Sequence, residues 1–190
     1  MRISGGVARG ITLAVPKGDA VRPATDGMRQ ALFSSLGAYV VDAWFLDLFA
    51  GSGNVSIEAL SRGAEKAVLV DASSRSAAVI RENLRRLDLA ERSQVWVLPV
   101  ARALRSLAQH AELFDLIFLD PPYEQRLVGA TLTLIAKNNL LAPDGAVVAE
   151  HSRRELVKPE YGQLILNDQR RYGDTLLTFF KAAARHDPAA

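Results

Sequence analysis

Four residues whose types could activate a weak nucleophile follow directly on an apolar run: Asp120, Pro121, Pro122 and Tyr123 come after residues 116–119. An exocyclic amine of a nucleobase is a weak nucleophile, because its lone pair is delocalised into the ring. The Asp120 carboxylate and the Pro121 carbonyl could each accept one N–H of such an amine and expose the lone pair to a methyl donor. The Tyr123 ring could stack on the base, which contributes about 1–3 kcal/mol. The pattern predicts methyl transfer to an amine; the alternative is a rigid loop without chemistry.

The apolar run before this motif predicts where the motif lies in the fold. Residues 116–119 are consecutive large apolar residues, which is typical of a strand buried on both faces of a parallel sheet. Pro121 and Pro122 end the strand, because proline has no N–H to donate to the sheet and stiffens the backbone. Asp120 is therefore expected just beyond the carboxyl end of a strand, the edge at which open α/β sheets bind ligands.

A second candidate site lies at the end of an earlier buried strand and in the loop after it. Bare glycines in such a loop allow the backbone to approach a ligand closely. The residues expected to bind a cofactor here are Asp47, Phe49, Ala50, Gly51, Ser52, Gly53 and Asn54. We expect Asp47 to suit the positive amino group of a methionine moiety; a purely structural role in the loop is the alternative.

A third carboxylate, Asp71, ends the next predicted strand about twenty residues later and is followed by Ala72. Asp71 is well placed to accept the two hydroxyls of a ribose; the alternative is that it only caps the next helix. Together with the glycine loop, it predicts a cofactor that contains adenosine. Ser56 stands where the dinucleotide fingerprint has its third glycine, which counts against a nicotinamide cofactor.

The elements that position these residues alternate regularly from residue 44 onward. This alternation predicts an α/β fold with a mostly parallel sheet and helices on both faces. The predicted strands are residues 44–49, 67–70, 95–98, 116–119 and 145–150, with a closing hairpin of residues 164–171 and 175–181. The predicted helices are residues 55–62, 78–87, 101–109 and 127–136.

The sequence predicts three parts of the chain. A small basic appendage of residues 1–41 precedes the main domain of residues 42–182, and a frayed tail follows at residues 183–190. The appendage reads as a hairpin of residues 2–15, a loop and a helix over residues 28–40. Residues 1–30 contain five basic and two acidic residues, which suits a polyanion such as RNA or DNA. The residues expected to contact RNA are Arg2, Arg9, Arg22, Thr25 and Arg29.

Composition excludes several other classes of protein. The 190 residues are 49% hydrophobic with a net charge of +2, which is ordinary globular material. There is no cysteine, so disulfides and thiolate metal sites are excluded, and the three histidines are far apart, so we expect no metal. No signal peptide and no apolar run of about 18 residues is present, so we expect a cytoplasmic protein that does not enter membranes. A monomer is expected.

Several motifs of the chain resemble those of a known family. Residues 46–53 (LDLFAGSG), 58–64 (EALSRGA), 120–123 (DPPY) and 172–175 (YGDT) look like the RsmD family, as does the N-terminal pattern that runs from Arg22 to Asp26. The resemblance covers residues 3–180. It implies the class I methyltransferase Rossmann-like fold, with a seven-stranded sheet and one antiparallel strand from the final hairpin.

The resemblance also implies an activity. Members of this family transfer the methyl group of S-adenosylmethionine to the exocyclic amine of one guanine in 16S ribosomal RNA, with S-adenosylhomocysteine as product. It implies that residues 120–123 are catalytic, that Ala101 after the third strand contacts the cofactor, and that the RNA arrives within the small ribosomal subunit. Gly27 and Gln30 depart from the family pattern. Leu98 to Ala101 is apolar where a polar side chain often meets the adenine amine.

The primary prediction is therefore an S-adenosylmethionine-dependent guanine amine methyltransferase of small-subunit ribosomal RNA. One alternative is a methyltransferase of adenine or cytosine amines in DNA, whose substrates need the same two acceptors. The absence of a larger target-recognition segment argues against it. The other alternative is a ribosome assembly factor that keeps the cofactor-binding fold without catalysis.

Overall fold

The computed structural model describes residues 1–15, 25–122 and 125–183, apart from the side chains of Thr25 and Asp26. Of the predicted site residues, Arg22 and Tyr123 lie outside the described residues, as does the side chain of Thr25. The tail from residue 184 onward lies outside them as well.

Five α-helices and eight strands alternate along the described chain. The helices are α1 (Thr25–Leu36), α2 (Asn54–Ser61), α3 (Ser74–Arg86), α4 (Val100–Gln109) and α5 (Leu127–Lys137), with short 3₁₀ turns at Gly37–Val40 and Ala90–Arg92. The strands are β1 (Trp44–Leu48), β2 (Lys66–Asp71), β3 (Ser93–Val97), β4 (Phe114–Leu119), β5 (Leu141–Ser152), β6 (Glu160–Tyr161), β7 (Leu164–Tyr172) and β8 (Thr175–Ala182). None of these helices is long and apolar enough to cross a lipid bilayer.

All eight strands form one sheet in the order β3-β2-β1-β4-β5-β8-β7-β6. The first five are parallel, whereas β8 is antiparallel to β5 and β7 is antiparallel to β8. The chain leaves β1 toward β2 on one side and later returns to β4 on the other, which creates a topological switch point between β1 and β4. The predicted α/β methyltransferase fold is confirmed. The predicted strand number was seven; the two-residue β6 adds an eighth at the far edge.

Two apolar clusters hold the helices against the two faces of the sheet. One cluster joins β1, β2 and β4 to helices α1, α2 and α3 through residues such as Leu32, Ile57 and Ile80. The other joins the opposite face to α4 and α5 through residues such as Leu104 and Leu132. Strand side chains alternate between these faces, so every central strand is covered on both sides.

Element boundaries differ from the predicted ones where the backbone turns. The first strand was predicted to include Phe49 but ends at Leu48, because Phe49 has a φ of 68°. The predicted helix over residues 28–40 was placed too late, since α1 begins at Thr25 and gives way at Gly37 to a 3₁₀ turn. Tyr39, in this 3₁₀ turn, is 68% exposed.

The N-terminal segment packs on α2 rather than forming a regular hairpin. A single bridge pairs Arg2 with Thr12, and the chain between them makes tight turns. A side chain at Gly6 would collide with the Ser61 carbonyl oxygen, 1.8 Å from an added Cβ, and its φ of 75° favours glycine. Ile3 and Leu13 belong to the same apolar cluster as α2 and α3, so this segment shares the core of the larger domain.

A buried carboxylate on α2 joins this segment to α1. Glu58 is 0% exposed and accepts hydrogen bonds from the Ser4 N–H at 2.9 Å and the Ser4 hydroxyl at 2.7 Å. It also pairs with Arg62 at 2.8 Å and with Arg29 of α1 at 3.2 Å. The N-terminal segment, α1 and α2 are therefore joined through the Glu58 carboxylate.

Candidate active site

A cavity of about 770 Å³ opens above the carboxyl ends of β1, β2, β4 and β5. Its size lies within the range of small-molecule sites. Predicted site residues from four separate segments line it: Asp47, Phe49, Ala50, Gly51, Ser52, Asn54, Asp71, Ala72, Ala101, Asp120, Pro121 and Pro122. The structure therefore brings the predicted motif and the predicted cofactor loop into one space, and their roles in binding and catalysis remain predictions.

The loop between β1 and α2 is held by left-handed backbone and by a carboxylate. Gly51 has a φ of 55°, and no atom lies within 4 Å of a Cβ added there, so this glycine faces open space. Its N–H donates to Asp71 Oδ2 at 2.8 Å. Gly53 was predicted to bind the cofactor, but a Cβ there would press on Ile80 and Leu69 at 3.1–3.2 Å. Gly53 therefore permits helix packing against the sheet and does not line the cavity.

Asp71 connects the cofactor loop to the loop after β2. Its Oδ2 accepts the Gly51 N–H, and its Oδ1 accepts the Ser73 N–H at 2.7 Å. The helix cap is Ser73, whose hydroxyl accepts the Ser76 N–H at 3.2 Å, so Asp71 does not cap α3 itself. Each carboxylate oxygen has a further lone pair, and these could accept ribose hydroxyls.

Asp47 is the most deeply buried carboxylate of the cavity. It is 2% exposed, and the Ser56 hydroxyl donates to its Oδ2 at 2.7 Å. Burial raises the pKa of Asp47 from 3.8 to about 7; hydrogen bonds from Ser56 oppose this rise, and the charges of Asp120 and Asp71 add to it. A cation beside Asp47 would relieve the cost of ionisation, so this position fits a positively charged ligand group.

Asp120 lies at the end of β4, directly beside the equivalent point of β5. Leu119 pairs with Leu48 of β1 on one side and with Ala149 of β5 on the other. Pro121 is buried and Asp120 is half-buried in the cavity wall. The proposed chemistry requires Asp120 to share the cavity with Gly51 and Asp71, and it does.

Two further walls of the cavity are mostly apolar. Pro99, Val100 and Ala101, between β3 and the first turn of α4, line the side near Asp71 and offer a surface on which an adenine ring can lie. The wall from α5 was missed in the sequence: Leu127, Ala130, Thr131 and Leu134. Their signal was the position of this helix, which follows directly on the Asp-Pro-Pro-Tyr motif.

Glu150 is a further cavity residue that the sequence interpretation missed. It lies near the end of β5 and lines the cavity with Asp120. Four neighbouring strands, β2, β1, β4 and β5, thus each supply one carboxylate at the same edge: Asp71, Asp47, Asp120 and Glu150. The signal available in the sequence was a charged residue ending an apolar run, as at Asp71 and Asp120.

Among the residues predicted to contact RNA, the structure describes the side chains of Arg2, Arg9 and Arg29, and their surroundings differ. Arg29 is 3% exposed, donates to Glu58 and to the Arg2 carbonyl, and lines the cavity, so its contact with RNA stays a prediction. Arg9 is exposed, but it lies in the turn that contacts Ser61 at the far end of α2 from the cavity. Arg2 is exposed next to Met1, which lines the cavity, and it remains a candidate.

Comparison with known proteins agrees with this geometry. The model of the family described as "Conserved hypothetical protein 95" matches residues 1–181. A Bacillus subtilis (strain 168) protein named "Putative rRNA methyltransferase YlbH" is 38% identical over 181 residues, covering 95% of this chain and 98% of that protein. The "Ribosomal RNA small subunit methyltransferase D" of Escherichia coli (strain K12) is 36% identical over 150 residues, covering 79% of this chain and 74% of that protein.

A solved structure agrees with the fold over almost its whole length. The structure described as "Putative methyltransferase yhhF from Escherichia coli." has a TM-score of 0.83 at 32% identity and covers 97% of this chain and 99% of that one. The family predicted from the sequence motifs is confirmed. Because the family model covers residues 1–181 and relatives at 36–38% identity cover most of the chain, this chain belongs to the RsmD family, the family whose model bears the description given above.

Proposed function

We propose that this protein methylates the exocyclic amine of a guanine in small-subunit ribosomal RNA, with S-adenosylmethionine as the methyl donor. The observation that carries the proposal is the single cavity shared by Asp120 and Pro121 with Asp47, Gly51 and Asp71. The relative named as a small-subunit ribosomal RNA methyltransferase supports the class of RNA. An RNA substrate of this kind implies action in the cytoplasm.

The residues present fit the donor, which carries a positive sulfonium and a positive amino group. Asp47 would face the amino group, the Gly51 loop would follow the methionine moiety, and Asp71 would accept the ribose hydroxyls. Pro99 to Ala101 would cover the adenine. S-adenosylmethionine supplies an electrophilic methyl group on sulfur. Because Asp47, Asp71, Asp120 and Glu150 crowd the cavity, it suits cations and disfavours the pyrophosphate of a dinucleotide.

Asp120 and Pro121 would prepare the amine. Each accepts one N–H, which draws the nitrogen toward tetrahedral geometry and aims its lone pair at the methyl group. The new N–C bond forms as the S–C bond breaks, and the extra proton on nitrogen passes to water or to Asp120. Holding the two reactants in line supplies most of the acceleration, since no strong base is needed. Tyr123 is proposed to stack on the base.

Six exposed arginines lie close in sequence to residues that line the acidic cavity, and they would hold the RNA backbone outside it. They share one property: each lies within four residues of a residue that lines the cavity. They are Arg2, Arg75, Arg102, Arg126, Arg153 and Arg154. Arg153 also pairs with Asp174 at 2.8 Å. Phosphates would meet positive charge at the rim while a single base enters the negative interior.

Asp47 should make cofactor binding depend on pH. Its pKa of about 7 means that the carboxyl is largely neutral below that pH, and a bound ammonium group favours the charged form. We expect affinity for S-adenosylhomocysteine to rise about tenfold from pH 5.5 to 8, with release of a proton on binding near pH 6.5. Asp47→Asn should bind more weakly at pH 8 and lose this dependence. Titration calorimetry in two buffers of different ionisation enthalpy measures the proton, and a pH-independent wild type would contradict the assignment.

The arginine rim predicts a loss of RNA affinity on charge reversal. Arg126→Glu combined with Arg154→Glu should weaken RNA binding by at least about tenfold and reduce the slope of log affinity against log salt by about 0.7–0.9 for each lost phosphate contact. Filter binding with 16S RNA across salt concentrations measures both. Arg86→Glu with Lys137→Glu makes the same charge change on exposed residues at the amino end of the sheet. Equal losses in both pairs would show only a general charge effect.

One experiment tests the proposed function as a whole. The protein is incubated with labelled S-adenosylmethionine and small ribosomal subunits from cells that lack its gene, and the labelled nucleotide is mapped. We expect label on one guanine as the N2-methyl derivative. Label on duplex DNA instead, or cofactor binding without transfer to any nucleic acid, would overturn the proposal in favour of one of the two alternatives.

A further inference from the structure

Glu150 shares the cavity with Asp120, and the reaction outlined above gives it no task. Its position follows from strand pairing: Leu119 of β4 pairs with Ala149 of β5 in parallel register, so the next residues, Asp120 and Glu150, are neighbours across the two strands. Neighbouring strands lie about 4.8 Å apart. Glu150 is therefore one strand away from the carboxylate that would hold the amine.

The two carboxylates also lie on the same face of the sheet. Phe118 and Val148 pair with each other, and both belong to the apolar cluster beneath α1 and α2. Side chains two residues apart along a strand share a face, so Asp120 and Glu150 follow them on that side. Leu32 and Phe118 line the cavity there as well. The base would thus meet a half-buried carboxylate next to apolar walls, where a hydrogen bond is stronger than in water.

Guanine is the base that suits a second acceptor at this place. Its N1–H lies directly beside the N2 amine, whereas adenine and cytosine present a ring nitrogen lone pair beside their amines. An ionised carboxylate only accepts hydrogen bonds. We propose that Glu150 selects guanine by accepting the N1–H while Asp120 and Pro121 hold the N2 amine. Adenine or cytosine in the same pose would turn a lone pair toward the carboxylate and leave both groups unpaired.

This inference rests on the proposed function, and a modified base separates the two. The base 2-aminopurine keeps the N2 amine of guanine, but its N1 is an acceptor. Once the target is mapped, 16S RNA with either base at that position can be joined from fragments and reconstituted into subunits. The wild-type kcat/KM should favour guanine by about 10²-fold or more, because a site built to accept a hydrogen bond rejects a base that cannot donate it.

The Glu150→Gln variant should lose this preference. Its amide can rotate to donate to N1 of 2-aminopurine or accept from N1–H of guanine, so we expect the two bases to react within about tenfold of each other. Glu91→Gln, an exposed change in the 3₁₀ turn before β3 at the opposite edge of the sheet, should keep the wild-type preference. Glu150→Asp retains a carboxylate and should keep the preference for guanine with a lower kcat.

The outcomes distinguish the two levels of the proposal. A wild-type preference retained in Glu150→Gln, with S-adenosylhomocysteine binding intact, would overturn the role of Glu150 alone. Loss of the preference in Glu150→Asp would overturn it as well. No transfer by the wild type to guanine in the subunit would instead overturn the proposed function. Collapse of the preference in Glu150→Gln only, against an unchanged Glu91→Gln, supports Glu150 as the guanine-selecting residue.

Discussion

Replacing Asp120 with alanine should reduce kcat for RNA methylation by about 10³-fold, the scale expected when a preorganised acceptor is removed from a reacting group. Without the carboxylate, the amine keeps its planar, delocalised geometry, because the Pro121 carbonyl alone holds only one N–H. Dissociation constants for S-adenosylhomocysteine should stay within about threefold of wild type, since no part of the proposed cofactor contact involves Asp120. Single-turnover kinetics with saturating subunits measure the chemical step.

A matched control separates catalysis from general loss of charge. Asp144→Ala removes an exposed carboxylate from β5 near the opposite edge of the sheet, and its turnover should equal that of the wild type. Wild-type turnover in Asp120→Ala would eliminate the proposed activation of the amine. A large loss of cofactor affinity in this variant would indicate that Asp120 contacts the cofactor and not the base.

The second large effect concerns stability and comes from Glu58. Glu58→Gln removes the carboxylate that pairs at 3.2 Å with Arg29, which is 3% exposed. Breaking a buried pair by removing one partner costs about 3–5 kcal/mol. For a chain of this length that corresponds to a fall in Tm of about 10 °C. Thermal and urea unfolding at pH 7 measure the loss, and Glu82→Gln, in an exposed pair with Arg85, should change stability by less than about 0.5 kcal/mol.

The same residue predicts the direction of a pH effect. Burial tends to raise the pKa of Glu58, but hydrogen bonds from Ser4 and Arg62 and the charge of Arg29 outweigh burial and lower the pKa below its ordinary value of 4.5. A lowered pKa contributes stability that is present above the ordinary value and is lost as pH falls through the folded-state pKa. The difference between the wild type and Glu58→Gln should therefore shrink below about pH 4.5. A constant difference down to pH 3 would contradict this charge network.

Glu58 does not line the cavity, so the Glu58→Gln substitution should affect the site only by changing the position of α1. Arg29 and Leu32 of this helix line the cavity, and Glu58 ties Arg29 to α2. Cofactor binding by Glu58→Gln, measured well below its Tm, should remain close to that of the wild type.

Many of the cavity residues at the carboxyl ends of the strands could be predicted from local sequence patterns. Apolar runs that stop at Asp71 and Asp120 indicate strand ends, because a charged residue rarely continues a strand buried on both faces. Parallel strands present their carboxyl ends at one edge, so these residues were expected together, and they line one cavity. Glu150 ends a run of the same kind and was passed over, because no motif surrounds it.

Charge and burial were predicted less well than strand order. Arg29 was predicted to contact RNA because residues 1–30 contain five basic and two acidic residues. Its partner Glu58 lies 29 residues away, and pairing across that distance leaves no local pattern. Gly53 read as a ligand contact because it follows Gly51. A Cβ at Gly53 would press on Leu69 and Ile80, and this restriction arises only when α3 packs on β2.

The sequence by itself determined the family, the order of strands and helices, and the identity of the groups that could hold an amine and an adenosine. These features follow from residue types and from short-range periodicity, which depend only on residues close together in the sequence. Only the tertiary structure decided which charges face the cavity and which are buried in pairs. Four carboxylates from separate strands line one cavity, and Arg29, which was predicted to contact RNA, is buried beside Glu58, because packing sets the neighbours of residues far apart along the chain.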